Sequence, residues 1–266
     1  MIIDKYNIRA EKINSLLCVG LDPDLEKLPE KFKALKHPQF EFNKYIIEET
    51  HEYVSAYKPN MGSYEVRGKD GWEDLAMTME YLREKHPDIF TICDAKRGDI
   101  GYTNELYAKA IFDILGFDAV TLHPYLGKEA LKPFLDRKDK VSIILCRTSN
   151  LGAGELQDLK IDGKQLWQIV AEKISKEWNI NHNCMLVVGA TYPEELGEIR
   201  KIVGELTLLV PGIGTQGGSV KEVMNKGMNV NKMGLIMSSS KAIIFSPNPK
   251  EEARKLRDEI RQHSLV

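Results

Sequence analysis

The sequence lacks the residue patterns that mark metal and disulfide sites. None of its four cysteines belongs to a C-x-x-C pair, and its six histidines show neither H-x-x-x-H nor H-E-x-x-H spacing. Structural zinc needs such closely spaced thiols or imidazoles. Each cysteine lies instead within an apolar segment rich in β-formers. We therefore predict four buried structural thiols, with no disulfide framework and no structural zinc.

Long apolar runs and an excess of one charge are also missing. No apolar stretch reaches transmembrane length, and the first ten residues carry three charges instead of a signal peptide's apolar core. The formal net charge is −2, which argues against a general binder of nucleic acid or anionic membranes but allows a local phosphate site. With 42% hydrophobic and 29% charged residues, we expect a cytoplasmic globular protein with an ample core.

Short apolar runs do alternate with longer amphipathic stretches along almost the whole chain. The predicted strands are 16–21, 56–62, 90–96, 119–123, 141–149, 185–190, 206–212 and 234–240. The predicted helices are 40–53, 72–85, 102–115, 128–135, 163–178, 193–203, 219–225 and 249–262. Near-continuous apolar strands are covered on both faces, so eight such units predict a single (β/α)8 TIM barrel over residues 1–266. A doubly wound open sheet is the alternative.

The third predicted strand ends in alternating charges, D-A-K-R-G-D-I over residues 94–100. A charge so close to the core is partly desolvated and persists there only with a partner or a task. Asp94 and Lys96 lie two apart, so in a strand they project to the same side and can pair. An arbitrary charged heptapeptide is most often a solvated turn, so its context decides the interpretation.

Other strand ends supply that context, because barrel active sites are built from the C-terminal ends of strands and the loops that follow. The residues that fall there are Asp22, Lys58, Asp94, Lys96, His123, Ser149, Gln216 and Lys241. Alone, Asp22 could simply make a turn with Pro23, and Lys58 could extend its ammonium group to solvent at the barrel edge. Their convergence on one rim favours a functional site.

The glycine-rich segment 211–218, PGIGTQGG, contains G-x-G-x-x-G after the seventh strand. It is weak evidence for a dinucleotide, since it lies outside a first βαβ unit and no acidic residue follows the next strand. A phosphate monoester fits better, because glycines let backbone N–H groups approach its oxygens. Lys241 would supply a counter-charge and Gln216 a neutral donor.

Together these segments resemble the orotidine 5'-phosphate decarboxylases, in particular their bacterial branch, the type 2 subfamily, whose third-strand motif is D-A-K-R-G-D-I-G-x-T. That motif is complete over residues 94–103. The other matching segments are 20–24 (GLDPD), 58–60 (KPN), 147–150 (RTSN), 188–191 (VGAT) and 211–218. They cover nearly the full chain in order, and related barrels that share D-x-K-x-x-D lack the whole set.

The resemblance implies a cofactor-free conversion of orotidine 5'-phosphate to uridine 5'-phosphate. It makes Lys96 the cation beside C6 of the substrate and the proton donor to that carbon. The remaining implied roles are a charge array completed by Lys58, Asp94 and Asp99; a homodimer in which Asp99 and Ile100 reach the partner's site; ribose contacts from Asp22 and Thr103; a pyrimidine contact from Ser149; and phosphate contacts from Gln216 and Lys241.

Two positions depart from the family pattern. Lys241 stands where arginine is usual, so a bidentate phosphate contact would become a point-charge contact. Leu151 stands where proline is common. Four further roles stay open, those of His123, Arg97, Arg147 and Asn150. His123 could merely cap a strand, and Arg97 could pair with Asp94 or face solvent.

Three other functions remain open from the residues alone. An aldolase-type barrel would use Lys58 or Lys96 as a Schiff-base nucleophile. The related hexulose-phosphate synthases place a D-x-K-x-x-D array around magnesium. A non-catalytic phosphate-binding module is the third possibility.

Overall fold

A closed barrel of eight parallel strands forms the centre of the molecule. The computed structural model describes residues 2–214 and 217–264. The barrel strands are β1 (Leu17–Leu21), β2 (Ala56–Pro59), β3 (Phe90–Arg97), β4 (Ala119–Leu122), β5 (Val141–Arg147), β6 (Cys184–Val188), β7 (Leu208–Pro211) and β8 (Leu235–Ser239). Each pairs with its neighbours along the chain, and β8 pairs with β1 to close the barrel. The predicted barrel is confirmed, and the open-sheet alternative was wrong.

Helices surround the strands and connect them. They are α1 (Ile2–Ile13), α2 (Glu30–Lys33), α3 (Pro38–Thr50), α4 (Gly62–Glu65), α5 (Lys69–Lys85), α6 (Gly101–Ala108), α7 (Gly127–Leu135), α8 (Gly154–Gln157), α9 (Leu166–Lys173), α10 (Pro193–Val203), α11 (Val220–Gly227), α12 (Lys241–Ile244) and α13 (Pro249–Ser264). The helical runs of α6 and α9 continue as π-helical segments, Lys109–Ile114 and Ile174–Trp178. A short antiparallel hairpin pairs two strands of two residues each, Lys160–Ile161 and Lys164–Gln165. None of the described helices is both long and apolar enough to span a membrane.

The predicted strands agree with the observed ones because their sequences are apolar on both faces. All residues of β1, β4 and β6 are buried, as expected for strands with the barrel interior on one side and helices on the other. Helix α11 begins at a capping residue, Ser219, whose side chain accepts a hydrogen bond from the backbone N–H of Glu222.

Helix α1 was not predicted. It lies across the N-terminal end of the barrel, where Tyr6 donates a hydrogen bond to the Leu235 carbonyl and Arg9 donates to the Val54 carbonyl. The helix buries only Tyr6, Arg9 and Ala10. Its apolar stripe is therefore too narrow, and too interrupted by charge, to show in the sequence.

The end of β3 departs from regular strand geometry. Its register against β4 shifts between Cys93 and Arg97, and Lys96 has φ of +48°, a conformation that non-glycine residues rarely adopt. The bulge places three residues of β3 opposite one of β4. Asp94 and Lys96 do pair, as predicted, but through this bulge rather than through the simple alternation of a strand.

Barrel closure brings the first and last strands into tight contact beside the rim. A Cβ atom on Gly20 would lie 2.7 Å from the Ser240 Cβ and 3.0 Å from Asp22 Oδ2. Ser240 Oγ donates a hydrogen bond to Asp22 Oδ2 over 2.7 Å. Glycine at position 20 therefore allows the Asp22–Ser240 contact to form.

We predict that Gly20→Ala lowers the free energy of unfolding by about 1–3 kcal/mol, because the new methyl group must displace Ser240. Urea denaturation measures the change. Gly152→Ala is the matched control, since its Cβ would meet nothing nearer than 3.4 Å, and we expect a change within about 0.5 kcal/mol. Equal effects at the two positions would contradict the close packing at Gly20.

Candidate active site

A cavity of about 680 Å³ opens at the C-terminal ends of the strands, where barrel enzymes carry their sites. Leu145, Val187 and Leu209 give it apolar walls. Its polar lining comes from seven of the eight strand ends: Asp22, Lys58, Asp94, Lys96, Thr121, Thr148, Ser149, Asn150, Gln157, Gly212, Ser238, Ser239, Ser240 and Lys241. Apolar walls with a few converging polar groups are typical of a small-molecule site.

Asp94 lies between two ammonium groups. Lys58 Nζ donates to Asp94 Oδ2 over 2.7 Å, and Lys96 Nζ donates to Asp94 Oδ1 over 2.6 Å. Thr121 Oγ1 also donates to Asp94 Oδ1, over 2.9 Å. Both carboxylate oxygens are therefore engaged, which fixes the orientation of Asp94 and joins β2, β3 and β4.

The two lysines differ in their access to the cavity. The side chain of Lys58 is 8% exposed and that of Lys96 is 51% exposed. Thr121 helps to place Lys96, because its Oγ1 accepts a hydrogen bond from the Lys96 backbone N–H over 3.0 Å. Lys96 is thus the cation that a ligand can reach, with Lys58 behind it as a buried counter-charge to Asp94.

Electrostatics keep this cluster ionised. Burial alone would raise the pKa of Asp94, but Lys58 and Lys96 outweigh it and hold that pKa well below its ordinary value. Burial likewise would lower the pKa of Lys58, but the charges of Asp94 and Asp22 raise it above the ordinary value. At neutral pH the carboxylate is therefore an anion and Lys58 a cation.

Asp22 is held at the rim of the cavity by two bonds. Its Oδ1 accepts from the backbone N–H of Asn60 over 3.0 Å, and its Oδ2 accepts from Ser240 Oγ. These bonds connect the loop after β1 to the ends of β2 and β8. The Asp22 carboxylate thus bonds to residues outside its own segment, while Asp24 caps a short 3-10 helix, Leu25–Lys27.

The segment after β5 forms one wall of the cavity. Gln157 holds its first residue, because Oε1 accepts from the Thr148 backbone N–H over 3.0 Å and Nε2 donates to Thr148 Oγ1 over 2.8 Å. Ser149 packs against β6, where a Cβ on Gly189 would lie 2.8 Å from the Ser149 Cβ. Hydrogen bonds between its two ends therefore close this segment into a loop, and the loop packs against the end of β6.

The glycine-rich loop after β7 and the start of α12 form the opposite wall. Gly212, with φ of +95°, and Lys241 line the cavity. A Cβ on Gly218 would lie 2.8 Å from the Gly212 carbonyl oxygen, so the loop folds back on itself. Gln216, which the family resemblance assigns to the phosphate, lies outside the described residues.

Three of the predicted site residues do not line the cavity of this chain. Asp99, Ile100 and Thr103 lie beyond the β3 bulge at the start of α6. The backbone N–H of Asp99 donates to Asn104 Oδ1 over 3.0 Å, and Asn104 is fully buried. The loop that carries Asp99 is thus firmly anchored, and none of the three residues lines the cavity of its own chain.

The structure also shows the contacts of two residues whose roles are open, Arg97 and His123. Arg97 pairs with Glu65 and lies over the Tyr107 ring, so neither predicted alternative, Asp94 or solvent, describes it. His123 packs against Gly98, where a Cβ would come within 2.7 Å of its ring, and it does not line the cavity. Gly98 therefore permits a close approach of the β3 and β4 loops.

Sequence reasoning missed Thr121, Gln157 and Asn104. Each is an ordinary polar residue in the sequence, and its importance follows only from the partner that the fold brings to it. Thr121 carried one usable signal, since it is a polar residue inside the otherwise apolar strand β4. A hydroxyl at that position needs a hydrogen-bond partner.

Within residues 2–214 and 217–264, no group of three or more histidine, cysteine, aspartate and glutamate side chains is placed to hold a metal ion. The four cysteines are buried and unpaired, and burial raises the pKa of the Cys18 thiol to about 12. A second cavity, of about 700 Å³, lies at the N-terminal end of the barrel. Its described lining contains no lysine or arginine, so it offers no counter-charge to a phosphate.

The fold and this cavity define a TIM-barrel protein with a lysine–aspartate–lysine cluster at its mouth. Residues 15–256 match the model of the orotidine 5'-phosphate decarboxylase / HUMPS family. The chain belongs to this family.

Individual relatives agree with that assignment. The chain is 52% identical over 235 residues to an orotidine 5'-phosphate decarboxylase of Christiangramia forsetii, covering 88% of this chain and 86% of that protein. It is 50% identical to the Flavobacterium johnsoniae protein of that name, covering 92% and 89%. Among solved structures, Leishmania donovani OMP decarboxylase superposes with a TM-score of 0.89 at 36% identity, covering 100% of this chain and 99% of that one.

The depressed pKa of Asp94 makes stability depend on pH. The unfolded chain takes up a proton near the ordinary pKa of 3.8 while the folded carboxylate stays ionised, so this contribution is present above about pH 4 and is lost on further acidification. We predict that Asp94→Asn lowers the free energy of unfolding at pH 7 by about 3–5 kcal/mol, because it leaves Lys58 buried without its anion.

Urea denaturation of both proteins from pH 7 to pH 3 measures this effect. The difference between native protein and variant should shrink as the solution is acidified. A difference that stays constant or grows would contradict the depressed pKa of Asp94.

Proposed function

We propose that this protein is a carbon–carbon lyase that converts orotidine 5'-phosphate to uridine 5'-phosphate, in pyrimidine biosynthesis and without a cofactor. The observation that carries the proposal is the Asp94 carboxylate held between Lys58 and Lys96 at the mouth of a cavity large enough for a nucleotide. Membership of the family supports it. The complete third-strand motif favours the bacterial, type 2 branch.

The reaction needs a positive charge and a proton at one carbon. When the bond from C6 to the carboxylate breaks, carbon dioxide leaves and the electron pair stays on C6 of the pyrimidine, where no conjugated group accepts it. An ammonium group beside C6 stabilises the developing carbanion and then transfers a proton to it. Lys96, the accessible cation of the pair, is assigned both tasks, and water restores its proton.

Lys58 and Asp94 act by keeping the charges in place before the substrate arrives. Asp94 orients the Lys96 ammonium group through a 2.6 Å hydrogen bond, and Lys58 offsets the cost of burying that carboxylate. Preorganised charge of this kind requires little rearrangement during the reaction. Asp94 would also lie near the substrate's own carboxylate and repel it, which favours departure of carbon dioxide.

The rest of the nucleotide is assigned to the cavity walls. Asp22, held by Asn60 and Ser240, is assigned to the ribose, and Ser149 on the β5 wall to the pyrimidine amide. Lys241 and the loop after β7 are assigned to the phosphate, which places it remote from Lys96, so its binding can position the base. Gln216 completes the phosphate contacts in this proposal.

The roles of Asp99, Ile100 and Thr103 in this proposal require a homodimer, because none of the three residues lines the cavity of its own chain. Two exposed side chains with apolar surface follow Asp99 in sequence: Ile100 is 62% exposed and Tyr102 is 69% exposed. Exposed apolar surface of this kind marks interaction sites. A second copy docked there would bring Asp99 and Ile100 into the neighbouring cavity and complete its charge array, while Thr103 contacts ribose.

Two observations count against a Schiff-base role of Lys58 and against a magnesium site at Asp94. A Schiff-base lysine must be neutral to attack a carbonyl, whereas the pKa of Lys58 is raised. A magnesium array would need the oxygens of Asp94, and both already accept hydrogen bonds from lysine. Two further points stay predictions from the sequence: the cytoplasmic location and the extent of a single domain over residues 1–266.

We predict that Lys96→Ala lowers kcat by about 10³-fold or more, because it removes both the cation and the proton donor at C6. A spectrophotometric assay with orotidine 5'-phosphate measures the loss, and the native enzyme should keep its rate in the presence of a chelator. Lys12→Ala is the control, since Lys12 is a surface lysine of α1 at the other end of the barrel. Near-normal turnover by Lys96→Ala would contradict the assigned role.

If each cavity takes its Asp99 from the partner subunit, a mixture of two inactive variants should regain activity. Lys96→Ala and Asp99→Ala proteins should each be inactive alone. A 1:1 mixture should regain up to about one quarter of native activity, because about half of its dimers are mixed and one of the two cavities in each mixed dimer combines a native Lys96 with a native Asp99. Mixed dimers verified by two affinity tags, yet without activity, would count against the sharing of Asp99.

A further inference from the structure

Arg147, the last residue of β5, is an arginine with a side chain only 4% exposed. Its guanidinium carbon lies 4.0 Å from the centre of the Tyr192 ring, within the range of a cation–π contact. Nη1 lies 3.2 Å from Asp158 Oδ1, and Nη2 lies 3.6 Å from Glu195 Oε1. Arginine is almost never so deeply buried without partners such as these.

The partners of Arg147 belong to two different connections. Asp158 follows α8, at the far end of the segment that leaves β5. Tyr192 and Glu195 lie at the start of α10, after β6. One guanidinium group therefore ties both ends of the segment 148–158 to each other and to the neighbouring unit of the barrel.

That segment is the wall of the cavity that carries Ser149. Two hydrogen bonds between Thr148 and Gln157 already join the two ends of this segment. Arg147 adds a connection from outside, next to Thr148 in sequence and behind the lining. A displacement of Asp158 or of the β5 end would move Ser149 relative to Lys96 on β3.

Arg147 faces both oxygens of the Asp158 carboxylate. Nη2 donates a hydrogen bond to Oδ2 over 3.5 Å, and Nη1 lies 3.2 Å from Oδ1. A planar guanidinium group opposite a carboxylate fixes the orientation of both side chains. Arg147 and Asp158 therefore hold the two ends of the segment 148–158 in a defined relative position.

We propose that Arg147 is a positioning residue that sets the place of Ser149 against the pyrimidine through Asp158 and Tyr192. This inference rests on the proposed function. Ser149 makes the contact with the base, and Arg147 fixes the wall on which Ser149 lies. Lysine at position 147 keeps the charge but loses the planar, two-pronged contact with Asp158 and the stacking on Tyr192.

A double-mutant cycle tests the inference through kcat/KM for orotidine 5'-phosphate. Arg147→Lys should lower kcat/KM by about 10- to 100-fold, as small misplacements at an active site do. In the Ser149→Ala background the same change should cost no more than about 3-fold, because the contact that it positions is already gone. A purely structural role would produce the same fold-change in both backgrounds and would overturn the inference.

Arg137→Lys is the matched control. Arg137 also pairs with an aspartate, Asp113, and lies over an aromatic ring, Phe112, but it precedes β5 at the other end of the barrel. Its kcat/KM should stay within about 2-fold of native. If Arg147→Lys does not fold, Asp158→Asn takes its place in the cycle with the same expected coupling.

The two proposals fail in different ways. Native protein that does not turn over orotidine 5'-phosphate would contradict the proposed function. Active native protein in which Arg147→Lys is normal, or acts independently of Ser149→Ala, would contradict the role of Arg147 alone.

Discussion

The site depends on one carboxylate held between two ammonium groups. Asp94 compensates the buried Lys58 and at the same time directs the more exposed Lys96 toward the cavity. Lys58 would not keep both its charge and its place without Asp94, since an isolated buried ammonium group loses its proton or its burial. The raised pKa of Lys58 and the lowered pKa of Asp94 have the same cause, namely the mutual attraction of opposite charges in a partly desolvated pocket.

The closed barrel brings the residues of the site together and places the walls of the cavity around the charge cluster. Pairing of β8 with β1 brings Ser240 to Asp22, and the bulge at the end of β3 turns Lys96 back toward Asp94. The walls come from the connections after β5 and β7, which are free to vary without disturbing the strands. The charge cluster therefore lies between walls that line the same cavity, and these walls are where we propose that the rest of the ligand binds.

Much of the fold was predictable from the sequence because all eight strands are short apolar runs, and a run buried on both faces has few other interpretations. The convergence of Asp22, Lys58, Asp94 and Lys96 was predictable for the same reason, since parallel strands end at one rim. The bulge at Lys96 was not, because it depends on pairing with β4. The Arg97–Glu65 pair likewise depends on which connections the closed barrel brings together.

The most direct measurement is a crystal structure of the protein with uridine 5'-phosphate bound. We predict that C6 of the pyrimidine lies against Lys96 Nζ, that the phosphate lies at Lys241 and the loop after β7, and that a second copy supplies Asp99 to the same cavity. A nucleotide bound with its pyrimidine away from Lys96, or a cavity that no Asp99 from either copy reaches, would contradict this prediction.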